Sequence, residues 1–144
     1  MAISPDTTRY YTGPSVGLGN TPSYQSSGGP FVTGSVLAAG EEIRINFPTV
    51  TKEIVMLSTE QNNACVLSFQ PTGSDRVQAG FHTLPFPIAG AAGGTVAPIV
   101  LNIKTDHVYV SSVAGAATGW NIYAALTGIN VANMYPLTGS GITD

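Results

Sequence analysis

Charge is what this sequence has least of. Five basic and eight acidic residues make up 9% of its 144 positions, where an ordinary soluble domain carries about 25%. The basic residues, Arg9, Arg44, Lys52, Arg76 and Lys104, are scattered, and the net charge is −3. Such a chain cannot neutralise a run of phosphates, so nucleic acid is excluded as a partner. Cysteine occurs once, at Cys65, which rules out an internal disulfide framework and a cysteine metal cluster. No apolar run approaches the ~20 residues of a membrane-spanning helix, so no membrane partner is expected. Met1 to Asp6 lack the basic and apolar regions of a signal peptide. The expectation is a chain made in a cytosol.

Catalytic residue types are also scarce. The two histidines, His82 and His107, sit in strand-like contexts with no nucleophile and orienting acid placed around them, as a hydrolytic triad requires. Glu41 and Glu42 form the one tight acidic pair, but adjacent strand residues point to opposite faces and cannot flank one bond together. Histidine and carboxylate spacing gives no metal site. Gly13, Gly17 and Gly19 do not lie between a strand and a helix, as a phosphate-cradling loop would. No enzyme activity and no cofactor are expected.

What the chain has in place of charge is glycine, proline and alternating apolar residues. Residues 1–30 are rich in Gly and Pro, carry only Asp6 and Arg9 as charges, and include Tyr10, Tyr11 and Tyr24. Solvated linkers are poor in aromatics, so this stretch reads as an extended N-terminal arm that docks onto something. Thirty extended residues reach about 100 Å, far enough for a neighbouring subunit.

Residues 31–128 read as a β domain. Glu42 to Phe47 alternates with Ile43, Ile45 and Phe47 on one face. Val50 to Ser58 is apolar on both faces, with Ile54 and Met56 opposite Val55 and Leu57, which predicts a central strand or one that faces a partner. Further strands are predicted over Ala64 to Gln70, Gly80 to Leu84, Val96 to Ile103, His107 to Val113 and Gly119 to Thr127. Cys65 alternates with Leu67 and Phe69 and reads as a small buried hydrophobe. Trp120 shares its face with Ile122 and Leu126 and reads as core. The triplet Thr-Gly-Ser, at Thr33, Thr72 and Thr138, reads as turn chemistry. Short strands at even spacing without amphipathic helices predict an all-β fold, an antiparallel β-sandwich of jelly-roll type with about seven or eight strands. Residues 129–144 lose the alternation and form a shorter C-terminal arm.

Val16-Gly17-Leu18-Gly19-Asn20-Thr21-Pro22-Ser23-Tyr24, running on to Ser35, resembles the N-terminal segment of small virion proteins of tailed bacteriophages. Tyr123 to Ile129 and Met134-Tyr135-Pro136-Leu137-Thr138-Gly139-Ser140-Gly141 are similar to their C-terminal segments. The resemblance covers the first and last quarters of the chain. It implies a structural virion protein, of capsid decoration or cement type, assembled in the host cytoplasm and bound to the major capsid protein at the capsid surface. On that expectation Tyr10, Tyr11, Leu18, Tyr24 and Phe31 anchor the N-terminal arm, and Met134 and Tyr135 the C-terminal one, as aromatic and apolar side chains fill pockets at interfaces. The chain is expected to associate with itself, as a trimer ahead of a dimer. A competing expectation is a tail- or fibre-associated sandwich that binds host glycans through Trp120, Tyr109 or Tyr123.

Overall fold

A computed structural model of the chain describes residues 18–19, 24, 28–59, 65–71, 81–87, 98–112 and 117–137. The described residues form eight strands: β1 (Gly29–Leu37), β2 (Glu42–Asn46), β3 (Thr49–Ser58), β4 (Cys65–Ser68), β5 (Leu84–Pro85), β6 (Ile99–Leu101), β7 (His107–Ser112) and β8 (Thr118–Asn130), with a 3₁₀ turn at Val131–Asn133 after them. Two four-stranded sheets run in the orders β1-β8-β3-β6 and β2-β7-β4-β5, and every pairing in them is antiparallel. β1 pairs β8, β2 pairs β7, β3 pairs β6 and β4 pairs β5. This is one long hairpin folded over and rolled into two layers, the jelly roll that the strand pattern predicts.

Alternation explains the core between the layers. Ile45 and Phe47 from β2 and the segment after it, Ile54 and Met56 from β3, Cys65 and Leu67 from β4, Val108 and Val110 from β7, and Trp120, Ile122 and Ala124 from β8 all point inward and are buried. Cys65 is fully covered, and burial pushes its thiol up from 9.0 to about 11, a weak hydrogen bond from Thr118 opposing the shift.

Two features depart from the strand pattern. Thr33-Gly34-Ser35 is not a turn but the middle of β1, which pairs with β8 residue for residue from Gly29↔Leu126 to Leu37↔Thr118. Of the strands predicted over Gly80–Leu84 and Val96–Ile103, the described residues form only the two-residue β5 and the three-residue β6; Gly80, Val96 and Ala97 lie outside the described residues. Pro85 and Pro98 bound them, and proline has no N–H to give to a ladder.

β3 slips in register against β8 between Thr51 and Glu53, where Thr51 opposes Leu126 and Glu53 opposes Ala125. Lys52 is therefore the extra residue of a bulge, and bulges re-aim side chains. The irregular backbone is tied down by buried hydroxyls. Thr51 Oγ1 donates to the Ile103 carbonyl at 2.9 Å and accepts from the Thr105 N–H, and Thr127 Oγ1 donates to the Val50 carbonyl at 2.6 Å.

Candidate functional site

The two outward faces of the sandwich differ in chemistry. On the β2-β7 side, Arg44 lies over the Tyr109 ring at 5.7 Å and bonds Asn46 at 2.8 Å. Tyr109 meets His107 edge-on, His107 Nδ1 lies 2.7 Å from Asp106 Oδ1, and Ser111 donates to Glu42 at 2.9 Å. These groups satisfy one another.

On the β1-β8-β3-β6 side, the register brings Val32 opposite Tyr123, Tyr123 opposite Val55 and Val55 opposite Val100. One unbroken apolar row therefore crosses all four strands. Val32 is 72% exposed and Val100 50%, and Val36 on the same face of β1 is 62% exposed. Apolar side chains dispersed singly over a surface need no explanation, but a contiguous row does. It is also the second apolar face that Val55 and Leu57 give to β3 in the sequence.

A second locus lies where the described residues on either side of the sheets, Leu18, Tyr24 and Leu137, meet them. Lys104 Nζ donates to the Leu18 carbonyl at 2.8 Å and sits 4.7 Å from the centre of the Tyr24 ring. Lys52, aimed outward by its bulge, donates to the Tyr24 carbonyl at 3.1 Å. Burial of the Tyr24 phenol, and after it the charge on Tyr135, raise its pKa above the ordinary 10.0. On the C-terminal side Gln70 Nε2 donates to the Leu137 carbonyl at 2.9 Å. Two lysines and a glutamine of the β domain thus hold main-chain carbonyls of both flanking segments, a mode of attachment indifferent to the side chains it holds.

A shallow depression of about 250 Å³ is lined by Phe69, Phe81, His82, Thr83 and Leu84. Among the described residues no acid lines it with His82 and Thr83. Among the described residues no three His, Cys, Asp or Glu side chains gather to hold a metal ion, and no helix is long and apolar enough to cross a membrane.

Comparison with protein families, with curated proteins and with solved structures finds no match to this chain.

Of the arm residues singled out in the sequence, Leu18 and Tyr24 are half-buried at the lysine clasp, Met134 is half-buried and Tyr135 is exposed beyond β8. Phe31 lies inside β1, where its ring meets Phe47 edge-on at 5.3 Å and packs against the core. Tyr10 and Tyr11 lie outside the described residues. Among the aromatics proposed for glycans, Trp120 is 1% exposed and belongs to the core, Tyr109 is capped by Arg44, and Tyr123 stands between valines. The sequence reading missed Val32, Val36 and Val100, because nothing in a single strand shows which neighbours its outward residues will meet.

Proposed function

We propose that the protein is a structural component of a tailed-bacteriophage virion, a decoration or cement protein that binds the major capsid protein at the capsid surface. The apolar row Val32–Tyr123–Val55–Val100 carries this reading. An exposed apolar row across one sheet, turned away from a β2-β7 surface whose polar groups pair with one another, suits a protein surface better than a small polar ligand. The jelly roll is compatible, since capsid domains use it, but lectin domains use it too, so the fold does not choose the function. The choice of a virion rests on the resemblance of the terminal segments. Tyr10, Tyr11, Leu18, Tyr24, Met134 and Tyr135 add anchors along the arms.

The test is co-sedimentation of the full-length protein with shells assembled from the major capsid protein of the phage that encodes it. Saturable occupancy, weakened by V100K at the β6 end of the row, is the expected result. Absence of binding to shells, together with a virion map that places the chain on the tail, overturns the reading.

A further inference from the structure

Four strands end the two sheets: β1 and β6 in one, β2 and β5 in the other. An edge strand offers unpaired N–H and C=O groups to any passing strand, and proteins blunt such edges by shortness, charge, proline or bulges. Three of the four are blunted in this way. β5 is two residues long and ends on Pro85, β6 is three residues long and follows Pro98, and β2 alternates Glu42 and Arg44 along its outward face. β1 is different. It is nine residues long, carries no charge, and pairs with β8 without a bulge, its proline confined to the second position. Its side away from β8 makes no backbone hydrogen bond.

We propose that β1 is a self-association edge, and that a second copy of this chain pairs its own β1 antiparallel to it about Gly34. The occupant follows from the side chains. A two-fold axis perpendicular to the sheet keeps outward residues outward, so only registers that match the pleat are allowed. Centred on Gly34, the pairing sets Val32 opposite the second copy's Val36, and Val36 opposite its Val32. Phe31 falls opposite Leu37 and Thr33 opposite Ser35 on the inward side. Both exposed valines of β1 gain a β-branched cross-strand neighbour, the kind of pair that stabilises antiparallel sheets. The result is an eight-stranded sheet in which the row Val100–Val55–Tyr123–Val32 continues onto the second copy. Such an interface is isologous and closes on two copies, the dimer that the sequence ranks after a trimer. It does not depend on what the assembly is attached to.

The register makes the test specific. V32K/V36K places lysine opposite lysine at both valine pairs, whereas V32E/V36K places glutamate opposite lysine at both. These side chains are solvent-exposed, and circular dichroism checks that each variant keeps the wild-type fold. In sedimentation velocity at high micromolar concentration the wild type and V32E/V36K are expected to run as dimers and V32K/V36K as a monomer. Under mild oxidation, a mixture of the single variants V32C and V36C is expected to cross-link, while neither cross-links by itself; Cys65 is buried. A monomeric wild type, a trimer, a dimer indifferent to V32K/V36K, or cross-linking of V32C with itself overturns the proposal.

Discussion

The side chain of Asn121 on β8 occupies the space that a side chain at Gly34 on β1 would need. The two residues are register partners, and a Cβ built on Gly34 would run into Asn121 Oδ1 and lie 2.8 Å from the Trp120 carbonyl. The glycine is therefore a packing requirement of the β1-β8 seam, not the mark of a turn.

Gly34→Ala is expected to destabilise the fold by about 1–3 kcal/mol, the usual cost of forcing an extra methyl into a packed site. Urea unfolding measures it. Adding Asn121→Ala is expected to restore part of the loss and not all, because the Trp120 carbonyl is main chain and cannot move aside. A neutral Gly34→Ala contradicts the close approach.

Cys65 gives the fold a pH dependence at the alkaline end. Its pKa rises from 9.0 unfolded to about 11 folded, so between these values the unfolded state binds fewer protons than the folded one. Stability is full below pH 9 and falls as pH rises toward 11, by about 2–3 kcal/mol in total at 1.36 kcal/mol per unit. Denaturant midpoints from pH 8 to 11 are expected to show the fall, and a flatter profile is expected for Cys65→Ala at lower overall stability.

Lys104→Met keeps the apolar stem but removes the bond to Leu18 and the ammonium beside Tyr24. Lys52→Met does the same to the Tyr24 carbonyl bond. The double variant is expected to lose hydrogen-exchange protection and gain protease sensitivity around Leu18 and Tyr24, with the unfolding midpoint of the β domain nearly unchanged. Each exposed cation–ring or hydrogen-bond contact is worth only about 0.5–1 kcal/mol. A large drop in the global midpoint would show that the clasp is part of the core's stability.

Trp120, at 1% exposure, is expected to emit at short wavelength and to resist quenching by iodide. Titration with host polysaccharide is expected to leave the emission unchanged. A saturable shift would mean that the glycan-binding alternative reaches the core from a surface site such as Tyr109 or Tyr123.

Particular residues show how far the sequence could be read. Ile43, Ile45 and Phe47 mark β2 by strict alternation, and Trp120, Ile122 and Ala124 mark the inward side of β8. Cys65 is identifiable as core from its alternation with Leu67 and Phe69. β1 is illegible by the same rule, because Gly29, Pro30 and Thr33-Gly34-Ser35 carry the composition of a loop. Its extended state comes from nine pairings with a strand some ninety positions away. Phe31 read as an arm anchor for the same reason, since its contact with Phe47 exists only once β1 is in the sheet.

By itself the sequence determined the class of fold and the contrast between a β domain and two tyrosine-bearing, nearly uncharged flanks, because period-two alternation and composition are local properties. The tertiary structure decided the strand order, and with it everything that joins distant positions: the row through Val32, Tyr123, Val55 and Val100, the lysines that hold Leu18 and Tyr24, and the open edge of β1. Alternation tells each residue which face it takes, but its neighbour on that face is set by long-range pairing, which no local pattern encodes.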